Sequence, residues 1–215
     1  LDEENVALKK PLKEDAHIIA TFDSSRKDWP FGADGIAFDS QGSMHRIRAA
    51  TGNKLYYQKI TNPGPSSDYS TWSLIADNCS GPCAIAASPA EAPPAQAGKV
   101  YIFYRTTGNV LWKYYSHDYG ASWQNAQLID YSEVASLAAC WWGTGNNVVC
   151  FALKASYPAK LNGIVLNTSD QNTSQHEWYD DNHPLLDTYG IGATYNPFWP
   201  AIEIVLAGKE SDNPY

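Results

Sequence analysis

The chain is a succession of short runs in which apolar and polar positions alternate, separated by clusters of Gly, Asn, Pro, Ser and Asp. Such runs of four to eight residues, rich in aromatic and β-branched side chains and bounded by turn residues, predict half-buried strands. Strands are expected at 35–39, 45–49, 55–60 and 71–75, then again at 84–87, 100–105, 110–115 and 123–129. A third group is expected at 134–142, 148–153 and 161–167, and a fourth opens at 192–195 and 201–206. The groups repeat. Gly52-Asn53 recurs 56 residues later as Gly108-Asn109, and Trp72, Trp123 and Trp178 follow one another at spacings of 51 and 55. Four-stranded units at about 50 residues have the period of propeller blades, of which 4 to 8 typically close a ring. A two-sheet sandwich is the competing fold, although it gives no reason for the repeated tryptophans.

The stretch on which the reading turns is Ser116-His117-Asp118-Tyr119-Gly120-Ala121-Ser122-Trp123. Asp118 can fold its carboxylate back onto the turn's own amides, Gly120 can take a positive φ, and Trp123 opens the next strand with a large apolar ring. This spacing resembles the Asp-box, S-x-D-x-G-x-[ST]-W, of sialidase-like β-propellers, and all its defined positions, including Ser116, Asp118, Gly120 and Trp123, match. In those families the box sits on the structural rim, away from the catalytic centre. The turns at 66–72 and 169–174 look like worn copies of it.

The expected architecture is therefore all-β: a β-propeller of four-stranded antiparallel blades, incomplete in this chain. Residues 1–34 form a lead-in segment with one strand at 17–22, and 35–215 form about three blades plus part of a fourth, at 35–77, 83–130, 134–182 and 190–215. An open propeller leaves a blade face and a strand edge in water, so other protein subunits or the remaining blades of the same protein are expected partners. The chain opens on the acidic Leu1-Asp2-Glu3-Glu4 without an initiator Met or a signal-peptide pattern, which suggests a processed chain or a fragment. The Pro/Ala stretch at 88–98 is expected to be an exposed loop.

Composition narrows the function. With 44% apolar residues the chain can build a core, while eight Trp and fourteen Tyr suit strands. A net charge of −8 without a basic patch argues against nucleic acid and anionic membrane as partners. No apolar run reaches the roughly 20 residues that span a bilayer, so no membrane insertion is expected.

Four cysteines are candidates for two disulfides. Cys140 and Cys150 are equidistant from Gly145, so a hairpin centred there would set them opposite each other, and Cys79 and Cys83 could close a small loop. Buried free thiols are the alternative. Disulfides would place the protein in an oxidising compartment, in line with an extracellular or virion-associated location.

Catalytic chemistry finds little support. Sialidase-like glycosidases hold the substrate carboxylate with three arginines, and Arg46-Ile47 is similar to part of their F-R-I-P signature. The four arginines here, Arg26, Arg46, Arg48 and Arg105, all lie in the first half of the chain, so they cannot be spread over successive blades as that family's triad is. Glu177, Asp180, Asp181, Asp187 and Glu203 read as solvated acids, and His176 with His183 has no metal-ligand spacing. No catalytic residue, metal site or cofactor is expected.

Binding remains. Trp141, Trp142, Trp199 and the pairs Tyr56-Tyr57 and Tyr114-Tyr115 offer rings for stacking on sugars, although alternation would bury about half of them. Tyr56-Tyr57-Gln58-Lys59-Ile60-Thr61-Asn62-Pro63 followed by Thr71-Trp72-Ser73-Leu74-Ile75 loosely resembles propeller repeats of phage tail and bacterial surface proteins, a resemblance that implies a non-catalytic structural or recognition module. A lectin-like propeller that binds cell-surface glycans and a fragment of a sialidase-like hydrolase are the alternatives.

Overall fold

The computed structural model describes residue 34 onward, except 91, 130–133, 143–146, 155–160, 167–171, 179–184, 197–200 and 211–215. The lead-in strand expected at 17–22 and Trp199 lie outside the described residues.

Fourteen strands and no α-helix are present among the described residues. The first sheet holds β1 (Asp34–Phe38), β2 (Met44–Ala50), β3 (Lys54–Ile60) and β4 (Ser73–Ala76), and the second holds β5 (Cys79–Ala87), β6 (Val100–Thr106), β7 (Leu111–Ser116) and β8 (Gln124–Ile129). The third contains β9 (Val134–Trp142), β10 (Asn147–Lys154), β11 (Leu161–Leu166) and β12 (Asn172–Trp178). A two-stranded sheet of β13 (Leu185–Asn196) and β14 (Ala201–Glu210) follows. All pairings are antiparallel and join strands consecutive in the chain. Asn53 and Asn109, both at positive φ (61° and 59°), turn β2 into β3 and β6 into β7, a conformation that Asn tolerates better than most residues.

The sheets pack face to face in chain order. The first strand of each lies against the first strand of the one before: β5 against β1 and β2, β9 against β5, and β13 against β9. Period-two alternation sends the side chains of the inner strands into two different cores. From β6, Val100, Ile102 and Tyr104 join Ile47, Leu55 and Tyr57 of the first sheet. Tyr101 and Phe103 of the same strand join Leu137, Val148 and Ile164 of the third. From β10, Val149 and Phe151 turn the other way, towards Ile191, Ala193 and Ile202. Each fully buried aromatic or aliphatic side chain contributes about 1.5–3 kcal/mol, so these layers account for most of the cohesion between sheets.

Arg105 adds a polar strut. Its guanidinium donates to the Ser80 carbonyl (2.8 Å) and across to the Val134 carbonyl of the third sheet (2.8 Å). It lies so close over Gly81 that a Cβ there would fall 2.7 Å from it.

Two expectations need correction. The hairpin of β9 and β10 pairs Cys140 with Val149 and Cys150 with Ala139, one residue away from the register that would face the cysteines. A single-residue slip exchanges the faces of a strand. Cys150 therefore lies in the core between the second and third sheets and Cys140 in the core beyond the third. Cys79 and Cys83 lie together in the first core, and the four buried cysteines are joined by no disulfide. The stretch at 88–98 is likewise less exposed than its composition suggests. Ser88 and Gln96 are buried, Pro94–Gln96 forms a 3-10 turn, and the Ser88 amide donates to the Lys99 carbonyl, closing the loop against the sheet.

Candidate functional site

Where the first sheet meets the second, their outer parts leave a cleft of about 370 Å³ between them. One wall is β4 with the residues that follow it, Leu74 to Asn78, and the other comes from β6, β7 and β8. Alternation in Leu111-Trp112-Lys113-Tyr114-Tyr115 aims Trp112 and Tyr114 at the cleft, while Tyr115 packs on the opposite face of the sheet. Tyr104, nearly wholly buried, lies deepest, with its ring stacked on that of Tyr114 at 5.7 Å. Asn125 Nδ2 donates to the Tyr114 hydroxyl at 3.2 Å and steadies that ring from the adjacent strand.

The cleft has an aromatic side and a polar rim. Trp112 is half-buried and presents ring surface, while Asp77, Asn78, Asn125 and the tyrosine hydroxyls supply acceptors and donors around it. Burial, and after it the neighbouring Tyr114, Cys79 and Asp77, hold the Tyr104 phenol above its ordinary range, so it stays protonated and able to donate. Among the described lining residues Asp77 is the one charged group, and none of them is a cation that could receive an anionic ligand. Apolar rings combined with a few convergent polar groups are the usual composition of a small-ligand site.

The acidic turn between β7 and β8 is architectural. The Asp118 carboxylate accepts from the Ser116 hydroxyl (2.7 Å), the Ser122 amide (2.8 Å) and the Ser122 hydroxyl (2.6 Å). These bonds, led by the Ser122 hydroxyl, lower its pKa to about 2. The buried Ser116 hydroxyl in turn accepts from the Gly120 amide at 2.8 Å. Gly120 is at φ 79°, and a Cβ there would collide with the Tyr57 hydroxyl of the first sheet. Trp123 meets the Tyr57 ring edge-on at 4.8 Å, and Lys59 sits 5.5 Å over the Tyr119 ring. The turn thus locks the second sheet onto β3, with its polar groups used on itself. The corresponding turn of the first sheet keeps part of this pattern, since Asp68 accepts from the Ser70 amide and from the hydroxyls of Ser70 and Thr71.

Behind the lock lies a network that the sequence did not announce. His45 Nε2 donates to Asp39 (2.9 Å) and His45 Nδ1 accepts from the Tyr57 hydroxyl (2.7 Å), with the side chains of His45 and Asp39 wholly buried. Burial lowers the His45 pKa against the opposing pull of Asp39, so the ring is neutral. Burial raises the Asp39 pKa, but hydrogen bonds from His45 and the amides of Ser43 and Gln41 outweigh it, and the carboxylate stays charged. The arrangement has the partners of a proton relay but no access for substrate, and it stiffens the first sheet under the turn.

Of the tryptophans singled out as stacking surfaces, Trp141 is buried in the core beside Tyr101, with centroids 6.3 Å apart, and belongs to the packing. Trp142 is 41% exposed at the end of β9, apart from the cleft. Among the described residues no group of His, Cys, Asp and Glu could hold a metal ion, and no helix is long and apolar enough to cross a membrane. Trp112, Tyr104 and Asn125 were not singled out in the sequence. The two-residue spacing of Trp112 and Tyr114 was the available signal, because it sets them on one face.

No known family's sequence profile matches the chain, and no curated protein matches it in sequence. Solved structures do match in fold. A mutant NanB sialidase from Streptococcus pneumoniae aligns with a TM-score of 0.56 at 14% identity over 81% of this chain and 27% of that one. AofleA from Arthrobotrys oligospora aligns at 0.55 and 13% identity over 84% of this chain and 50% of that one. A mutant Aleuria aurantia lectin in complex with alpha-methyl-L-fucoside aligns at 0.51 and 14% identity, over 79% and 50%. The chain thus spans between about a quarter and a half of the length of these structures. At such identities the likeness concerns the fold alone: antiparallel sheets, stacked in chain order, in the propeller-like arrangement that a sialidase and a fucoside-binding lectin share.

Proposed function

We propose that the chain is a carbohydrate-recognition module, part of a propeller of four-stranded blades, and that it binds neutral sugar in the cleft between its first and second sheets. The observation that carries this reading is the cleft's composition. Trp112 offers a flat apolar surface to the C–H face of a pyranose, and Asn78, Asn125, Asp77 and the Tyr114 hydroxyl ring it with groups suited to vicinal hydroxyls. An anionic sugar finds no partner among the described lining residues, which include a carboxylate and no Lys or Arg. The likeness in fold to a sialidase and to a lectin in complex with a fucoside agrees with a sugar ligand, and the lectin reading fits this chemistry better. Arg105, which a carboxylate-binding triad would need free, is committed to two backbone carbonyls. A module of this kind works where glycans are displayed, outside a cell or on a virion, and recognition rather than turnover is its task.

A glycan array tests the proposal. The wild-type chain should retain neutral glycans, and Trp112→Ala should lose at least about tenfold in affinity, equivalent to about 1.4 kcal/mol. The variant should keep its fold, since Trp112 is only half-buried. Binding confined to sialylated glycans, no binding at all, or equal binding by Trp112→Ala would refute the proposal.

A further inference from the structure

The charge of the cleft says more about its ligand than its shape does. Asp77 stands exposed at the rim, and among the described residues no hydrogen bond or ion pair engages its carboxylate. Its place is nevertheless fixed by the backbone on either side. The Asn78 carbonyl accepts from the Thr107 amide (2.8 Å) and the Cys79 amide donates to the Asn53 carbonyl (2.8 Å). The connection from β4 to β5 is thereby tied to a hairpin of the first sheet and to one of the second. Asp77 is also near enough to the Tyr104 phenol for its charge to help keep that group protonated. Arg105, in the strand that carries Tyr104, does not offset the acid, because its guanidinium is committed to the Ser80 and Val134 carbonyls.

The rings favour the same sign of ligand charge. Trp112 lines the cleft together with Tyr104 and Tyr114, whose stacked rings lie 5.7 Å apart. The face of an aromatic ring is the negative pole of its quadrupole and attracts an ammonium within about 6 Å of its centroid. A carboxylate without a cation and three aromatic rings thus share one lining. A sugar hydroxyl gains a hydrogen bond from Asp77 but nothing from the quadrupoles, whereas a protonated amine gains from both.

We infer that the cleft prefers a sugar carrying a protonated amine, a hexosamine whose ring lies on Trp112 and whose ammonium donates to the Asp77 carboxylate, an assignment that rests on the reading of the cleft as a sugar site and adds the ligand's charge to it. Replacing the amine by a hydroxyl removes the charge at nearly equal size. N-acetylation removes it while keeping the nitrogen. Either change leaves Asp77 with a neutral donor and the rings without a cation.

A glycan array that presents each terminal hexosamine beside its hydroxyl and N-acetyl counterparts tests the assignment. With the wild-type chain the free-amine form should bind at least about tenfold more tightly than either counterpart. Asp77→Asn keeps the size of an exposed side chain and should bring that ratio close to one. A general attraction of cationic glycans to a chain of net charge −8 would survive this variant, which removes a single charge. Equal binding of the three forms, or a preference undiminished in Asp77→Asn, would overturn the inference and leave the sugar reading standing. A variant that binds none of the forms would overturn it too, by placing Asp77 in recognition of the ring rather than of the amine. A wild-type chain that binds no glycan on the array would overturn the sugar reading itself.

Discussion

Asp118 holds three short hydrogen bonds on a carboxylate open to solvent, and its charged form is what they favour. The sign of the pH effect follows. Its folded pKa lies at about 2 against an ordinary 3.8, so the stabilisation is complete above about pH 4 and fades as pH falls towards 2. Thermal unfolding followed between about pH 5 and pH 2.5 should show this decline in the wild type, with a smaller one in Asp118→Asn. Gly120 is constrained twice, by its φ of 79° and by the Tyr57 hydroxyl against it. Gly120→Ala should therefore cost about 2 kcal/mol or more in a denaturant titration, above the roughly 1 kcal/mol that a positive φ alone imposes. The bonds of this turn could be read from the sequence, because Ser116, Asp118, Gly120 and Ser122 lie within seven residues of one another. The Asp39–His45–Tyr57 network could not, since Tyr57 reaches His45 only through the pairing of β2 with β3.

At the level of elements, alternation and turn residues carried the strand positions well. The strand expected at 100–105 is Val100–Thr106, and those expected at 55–60 and 110–115 are Lys54–Ile60 and Leu111–Ser116. Register was beyond the same signal. Placing the β9–β10 hairpin one residue off was enough to pair Cys140 with Cys150 on paper and to part them in the fold. Mass spectrometry of the unreduced protein, alkylated in denaturant, should find Cys140 and Cys150 both modified and no peptide linking them. Arg105 tests the joint between the second and third sheets. Arg105→Ala strips the Ser80 and Val134 carbonyls of their charged donor and should cost about 3 kcal/mol, most of which Lys cannot recover because it reaches one carbonyl at a time.

For the molecule as a whole, the repeat of 51 to 56 residues already implied similar sheets, and sheets stacked first strand against first strand are what the fold contains. The cleft was hidden because it belongs to no single repeat. Its aromatic wall comes from β6, β7 and β8 and its facing wall from β4, and nothing in either segment states how far apart packing leaves them. A sugar-bound crystal structure bears on this directly. Soaked with a neutral glycan that the chain retains, the crystal should show a pyranose stacked on Trp112, with its hydroxyls met by Asn78, Asn125 and Tyr114. A sugar bound elsewhere, with the cleft filled by side chains from either sheet, would refute the assignment.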